Sequence, residues 1–139
     1  MRKFEMLVLL LFSFSAIAED DSKQLKKEWN ETCRNATSYK HGNYCLLKLE
    51  ERAIVLLDKK YQTLLEYLKK PDKDRLVDAQ NKWIKYVTAD CLFYSPTSKE
   101  GDYSYTYNVG CRLTHKLQRL EKLENYNYWQ INLVNLFSL

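Results

Sequence analysis

The sequence predicts an all-α fold, an antiparallel bundle of about four helices stapled by two disulfides. Three observations predict it. The only Gly and Pro residues of the 139-residue chain, Gly42, Pro71, Pro96, Gly101 and Gly110, fall at three places and divide it into four segments dense in good helix formers. Within those segments Leu and other apolar residues recur at intervals of three and four, the repeat of a helix with one buried face. No stretch alternates apolar and polar residues with the period of two that a strand core requires.

Residues 1–18 are expected to be a secretory signal and not part of the fold. Arg2 and Lys3 give a positive start, Met6 to Ile17 is almost wholly apolar, and Ala16-Ile17-Ala18 places small residues ahead of a cut before Glu19. The apolar run is shorter than the ~20 residues of a membrane-spanning helix, so no stable membrane insertion of the mature chain is expected. Residues 19–139 then form a single helical domain, large enough for one hydrophobic core without a metal or a partner.

The first helix is expected from about Ser22 to Ala36, where Leu25, Trp29 and Cys33 stand four apart in one narrow stripe. The second, from about Tyr44 to Lys69, is the strongest. Leu46, Leu49, Ala53, Leu56, Leu57, Tyr61, Leu64, Leu65 and Leu68 line one face, and Lys48, Glu51, Arg52, Lys59 and Glu66 line the solvated one. Pro71 closes it, and Asp72 or Asp74 is placed to cap the third. That helix runs to about Tyr94 with Leu76, Gln80, Trp83, Ile84, Val87 and Cys91 on one face. The fourth runs from near Asn108 to about Tyr128 on Leu113, Leu117, Leu120 and Leu123. Short turns at 38–43 and 70–73 favour antiparallel neighbours. Two pieces stand outside the bundle: a polar loop from Ser95 to Tyr107, and an apolar tail, residues 130–139, that must pack across the bundle or dock elsewhere.

All four Cys lie in the exported part, and an even number in an oxidising compartment indicates two disulfides. Of three possible pairings, Cys33–Cys45 with Cys91–Cys111 is favoured because each pair flanks an expected turn. Chain-entropy arithmetic gives about 3 kcal/mol for each. No CxxC or HxxxH spacing suggests a metal site, and no cofactor is expected.

Lys and Arg are interleaved with Asp and Glu, and the formal charge is only +4, so there is no concentrated basic face for nucleic acid. Catalysis is not expected either. His41 beside Gly42 and His115 on the fourth helix lack a carboxylate-plus-nucleophile context. Glu50 and Glu51 are adjacent and point to different faces, paired Cys leave no thiol nucleophile, and the scattered Gly make no phosphate loop. Asn30-Glu31-Thr32 and Asn35-Ala36-Thr37 match the glycosylation pattern, a motif too short to assign alone.

The loop is the candidate binding element. Tyr103, Tyr105 and Tyr107 alternate, so an extended backbone aims all three to one side, with Tyr94 before them and Glu100 and Asp102 between. Tyr offers a large contact area at low entropic cost with a polar tip. A Cys91–Cys111 bridge clamps the base of the loop and reduces its ordering cost on binding. The competing structural role for these rings is to fold back as a lid over the bundle end.

The third segment reads Ala79-Gln80-Asn81-Lys82-Trp83-Ile84-Lys85-Tyr86, with Cys91 five residues on. This AQxxWIxY…C arrangement resembles the signature of the LprI-type lysozyme inhibitor domain, a family of exported bacterial proteins. Leu57-Asp58-Lys59-Lys60-Tyr61 with Leu64 and Leu65 is similar to the family's LNxxYxxLL element, and Cys45 and Cys111 with Leu113-Thr114 fit its pattern. The resemblance spans roughly residues 33 to 123. It departs at Val87-Thr88, where the family often has Arg-Asp, in the stretch Lys99 to Ser104, and at Leu117, where an Arg is common. Taken as side chains, Trp83 and Tyr86 are bulky enough to fill the bundle centre and Gln80 suits a buried backbone group, so Gln80, Trp83, Tyr86 and Tyr61 are expected in the core.

The resemblance implies a periplasmic or secreted non-enzymatic inhibitor whose partner is a protein, lysozyme. The tyrosine alternation and the length of the loop lead to the expectation that the clamped loop occludes the sugar-binding cleft. The alternative is an immunity or adaptor protein for another envelope-active toxin or enzyme, with the apolar tail in the interface. A net positive chain gains no long-range steering toward a basic lysozyme, which leaves contact geometry to supply the affinity.

Overall fold

The computed structural model describes residues 20–93 and 103–137, with side chains described over 20–93 and 105–126. The expected signal sequence, and Tyr94, Glu100 and Asp102 of the expected loop, lie outside the described residues. Helix α1 (Asp21–Glu28) widens into a π-helical turn (Trp29–Cys33), followed by α2 (Tyr39–Tyr67), α3 (Asp72–Phe93) and α4 (Tyr103–Phe137), with no strand among the described residues. The all-α expectation and both disulfide pairings hold, Cys33–Cys45 and Cys91–Cys111.

Local chemistry sets the helix ends. Ser38 has extended backbone and its hydroxyl accepts from the His41 N–H at 3.3 Å, an N-cap that starts α2 ahead of the expected Tyr44. His41 and Gly42, expected in a turn, therefore belong to its first turns. The helix ends at Tyr67, where Leu68 turns to extended backbone before Pro71. Asp72 and Asp74 both occupy the first turn of α3, where the partial positive charge of the helix end favours carboxylates. The π turn shows in the Arg34 N–H, which bonds the carbonyl of Trp29, five residues back.

The largest departure from expectation is α4, which takes in the end of the expected loop and most of the expected tail. Composition separated those pieces in the sequence, but composition alone does not stop a helix. Neither 103–107 nor 125–137 contains a Pro or Gly, and nothing interrupts the backbone bonds.

Cross-helix contacts give the directions. Ser22 at the start of α1 bonds Glu124, and Lys26 reaches Glu121 at 2.6 Å, so α1 runs antiparallel to α4. Asn43 meets Thr106, and Glu50 meets Arg112 and Lys116, so α2 and α4 run parallel. Cys91 joins Cys111 and Gln80 joins Arg119, so α3 is antiparallel to α4. Consecutive helices are antiparallel, as the short turns predict, and α1, α2 and α3 all pack on α4.

The core is Leu25, Cys33, Leu49, Ala53, Leu57 and Leu64 against Leu113, Leu117, Leu120 and Leu123. Helix α3 buries only Gln80, Val87 and Cys91 of its 22 residues, and Ile84, expected inward, is half exposed. Truncating Leu113, which is fully buried, is therefore expected to cost about 2–5 kcal/mol in urea unfolding, whereas Val55→Ala on the outer face of α2 stays within about 0.5 kcal/mol.

Candidate functional site

Both disulfides lie at the same end of the bundle. Because α2 and α4 run parallel and α3 opposes them, the starts of α2 and α4 meet the finish of α3 there. Cys33–Cys45 ties the π turn to α2, and Cys91–Cys111 ties the last turn of α3 to α4. The Thr106 hydroxyl hydrogen-bonds both the Tyr39 hydroxyl and the Asn43 amide oxygen, closing α2 onto α4 above the cross-links.

A buried ionic cluster pins this end from below. Glu50 is only 6% exposed. Arg112 donates to its two carboxylate oxygens from Nε (2.7 Å) and Nη2 (2.9 Å), and Lys116 adds a third bond at 2.6 Å. Arg112 also donates to the Asn108 side-chain oxygen, and the Asn108 amide donates to the Cys91 carbonyl at 3.2 Å. One polar chain thus runs from α2 through α4 to the cystine on α3. Burial alone raises the Glu50 pKa, but the bonds and charges of Arg112 and Lys116 outweigh it and hold the carboxyl below its ordinary range.

Two further polar contacts join α3 to α4. His115 Nε2 lies 2.8 Å from Asp90 Oδ2, and the Tyr86 ring meets the imidazole edge-to-face at 5.5 Å. Arg119 stacks over Trp83 at 5.8 Å and donates from Nε to the Gln80 side-chain oxygen at 3.0 Å. Burial depresses the Arg119 pKa, and its Nη2 has no partner among the described residues.

These contacts revise the expected core roles. Tyr61 and Trp83 do pack against the core from its edge. Gln80 is buried, but it serves Arg119 and not a backbone group. Tyr86 is 56% exposed and lies outside the core, because Val87 and Cys91 take the inward face of α3 and the neighbouring position turns toward His115.

The outer surface of the cross-linked end carries exposed aromatic and apolar side chains. Tyr39, Tyr44, Leu92, Phe93, Tyr105 and Tyr107 are all exposed there, Phe93 to 81%. Tyr103 is the first residue of α4, and Tyr105 and Tyr107 sit in its first turns. The expected one-sided array of rings is therefore not formed. On a helix, positions two apart are rotated by about 200°, so Tyr105 and Tyr107 face apart. Tyr105 lies near enough to Arg112 to raise that guanidinium's pKa, after the larger effect of Glu50. Tyr107 borders an open groove of about 420 Å³ that it shares with Trp29, Asp90, Cys111 and His115.

The sequence held a sign of the ionic cluster. Glu50 occupies an apolar-stripe position, between Leu49 and Ala53 and four residues from Leu46, and Arg112 and Lys116 stand one turn apart among the leucines of α4. Asp90 had no local signal.

The model of the family described as lysozyme inhibitor LprI matches residues 33–123. The chain belongs to the LprI lysozyme inhibitor family. Neither curated proteins nor solved structures give a match. The region matched by the LprI model starts at the first cystine and ends at Leu123, the last buried leucine among the described side chains of α4, so it encloses both cross-links and the Glu50 cluster.

Within this LprI fold, Glu50→Ala strands two cations in the bundle, and a loss of about 3–5 kcal/mol at neutral pH is expected by urea unfolding. The sign of the acid dependence follows from the depressed pKa. The Glu50 contribution is complete above the unfolded value of about 4.3 and is lost as pH falls through the lower folded value. Wild-type stability is expected to decline across that interval more steeply than that of Glu50→Gln.

Proposed function

We propose that this LprI-family protein is an exported, non-enzymatic inhibitor that seats the cross-linked end of its bundle in the lysozyme cleft. The observation that carries the proposal is the set of exposed Tyr39, Tyr44, Leu92, Phe93, Tyr105 and Tyr107 distributed around an end held by two disulfides. Rigid aromatic anchors supply contact area at small entropic cost, and the cross-links lower the cost of ordering the surface on binding. Tyr94, Glu100, Asp102 and Tyr103 belong to the same proposed contact set, since the chain leaves α3 and rejoins α4 at this end. Glu100 and Asp102 supply carboxylates to polar groups of the cleft.

Export to the periplasm or medium fits residues 1–18, and no helix among the described residues is long and apolar enough to cross a membrane. The exported protein is expected to begin at Glu19, which intact-mass measurement of periplasmic or secreted material checks directly. Recovery of the full-length mass would remove the signal-sequence reading.

Oxidised mature protein is expected to slow lysozyme lysis of cell-wall suspensions. Combined Tyr105→Ala and Tyr107→Ala should weaken inhibition at least about tenfold. Tyr67→Ala, at the opposite end of α2, should leave it unchanged. Undiminished lysis at large molar excess of inhibitor would sink the lysozyme assignment and favour an immunity or adaptor role toward another envelope enzyme.

A further inference from the structure

We propose that the open groove beside Tyr107 is a saccharide site, which takes a neutral sugar ring of an oligosaccharide without any help from lysozyme. Its volume, about 420 Å³, is in the range of small-molecule sites. Tyr107, Gly110, Thr114 and His115 follow the three-and-four spacing of one face of α4, and that face lines the groove. Trp29 reaches in from the π turn and Asp90 from α3, so three elements converge on it, and the Cys91–Cys111 bridge holds two of them together.

Packing does not account for Gly110. It lies inside α4 with helical backbone, where Gly costs stability relative to Ala. A Cβ there would meet no neighbouring atom within 4 Å, so nothing in the fold excludes a side chain. What the bare turn does is leave the α4 backbone open to the groove, between Tyr107 and Thr114 one turn to either side. Close approach of a ligand to the backbone is the use to which such a glycine is put.

The lining narrows the class of ligand. Among the described residues no Leu, Ile, Val or Phe lines the groove to seat an aliphatic anchor, and no Lys or Arg lines it to meet a phosphate or carboxylate. The polar groups present acceptors. The Thr114 hydroxyl spends its proton on the Gly110 carbonyl at 2.9 Å and keeps its lone pairs. Asp90 Oδ2 stands 2.8 Å from His115 Nε2, and with the Nε2 proton held there Nδ1 and the second carboxylate oxygen remain acceptors. A ligand rich in donors with an apolar face fits this set. The hydroxyls of a sugar ring supply the donors, and its C–H face lies against the Trp29 or Tyr107 ring. A cation also supplies donors, but Arg34 already lies over Trp29 at 5.9 Å, and Arg112 and Lys116 outnumber Glu50 beside the groove-lining positions of α4.

Titrating the isotope-labelled, oxidised mature chain with chitotriose, cellotriose and maltotriose, with no lysozyme present, tests this. At least one of these neutral trisaccharides should bind at millimolar concentration and shift the backbone amides of 107–115 together with the Trp29 indole N–H. Raising the salt from about 0.05 to about 0.5 M should leave that affinity unchanged, as an uncharged ligand requires. Gly110→Leu should keep or raise the thermal midpoint, since its side chain enters open space and improves the helix, yet weaken sugar binding at least about tenfold. A purely structural glycine would lower the midpoint and leave binding alone. Tyr107→Ala should weaken binding as well, and Tyr67→Ala, at the far end of α2, should not. Silence with all three trisaccharides, shifts centred away from 107–115, undiminished binding by Gly110→Leu, or stronger shifts at the same amides from free arginine would each overturn the proposal.

Discussion

Because α1, α2 and α3 all bury their apolar residues against α4, the stripe of Val109, Leu113, Leu117, Leu120 and Leu123 decides where every other helix lies. Each buried leucine contributes about 1.5–3 kcal/mol relative to exposure, and none of this is directional. The stripe nevertheless fixes which α4 residues are left on its flanks. With the leucines turned inward, Arg112 and Lys116 fall toward α2, while Cys111, His115 and Arg119 fall toward α3. The polar contacts that define the cross-linked end are consequences of that rotation.

What hydrophobic burial leaves open is the axial position of one helix against another, and the ionic cluster supplies it. Sliding α4 by one turn along α2 breaks the two-point Arg112–Glu50 contact and leaves the buried carboxylate one of its two cations, a loss that desolvation makes costly. A buried ion pair is weak evidence for net stability, since an apolar replacement is often as stable, but it discriminates sharply among registers. Here it also reaches α3 through Asn108 and the Cys91 carbonyl. The exposed rings of α3 and α4 are therefore presented by helices whose relative height is set.

Much of this was legible in the sequence because it is local. The four segments, the leucine stripes, the capping neighbourhood of α3 and the flanking of turns by cysteines all depend on residues near one another along the chain. The family signature added its weight through Gln80, Trp83 and Cys91. The length of α4 is not legible in the same way, because a change from polar to apolar composition looks like a boundary even where no breaker stands. The tyrosine array failed for the same reason: an alternation of two means one side only if the backbone is extended, and Tyr105 and Tyr107 are helical. Tyr86 was misplaced because size suggested the core while the helical face pointed elsewhere. Glu50 and Arg112 are 62 positions apart, and no single-sequence pattern links them, although a carboxylate inside a leucine stripe was a visible anomaly.

The cystine-bounded aromatic end is proposed to be the surface that meets lysozyme. Titrating isotope-labelled, oxidised protein with unlabelled lysozyme and following backbone amide resonances tests it most directly. Shifts are expected to concentrate at 39–44, 92–93 and 103–107, with the α2–α3 turn near Pro71 silent. Perturbations centred on that turn, with the aromatic end unmoved, would contradict it.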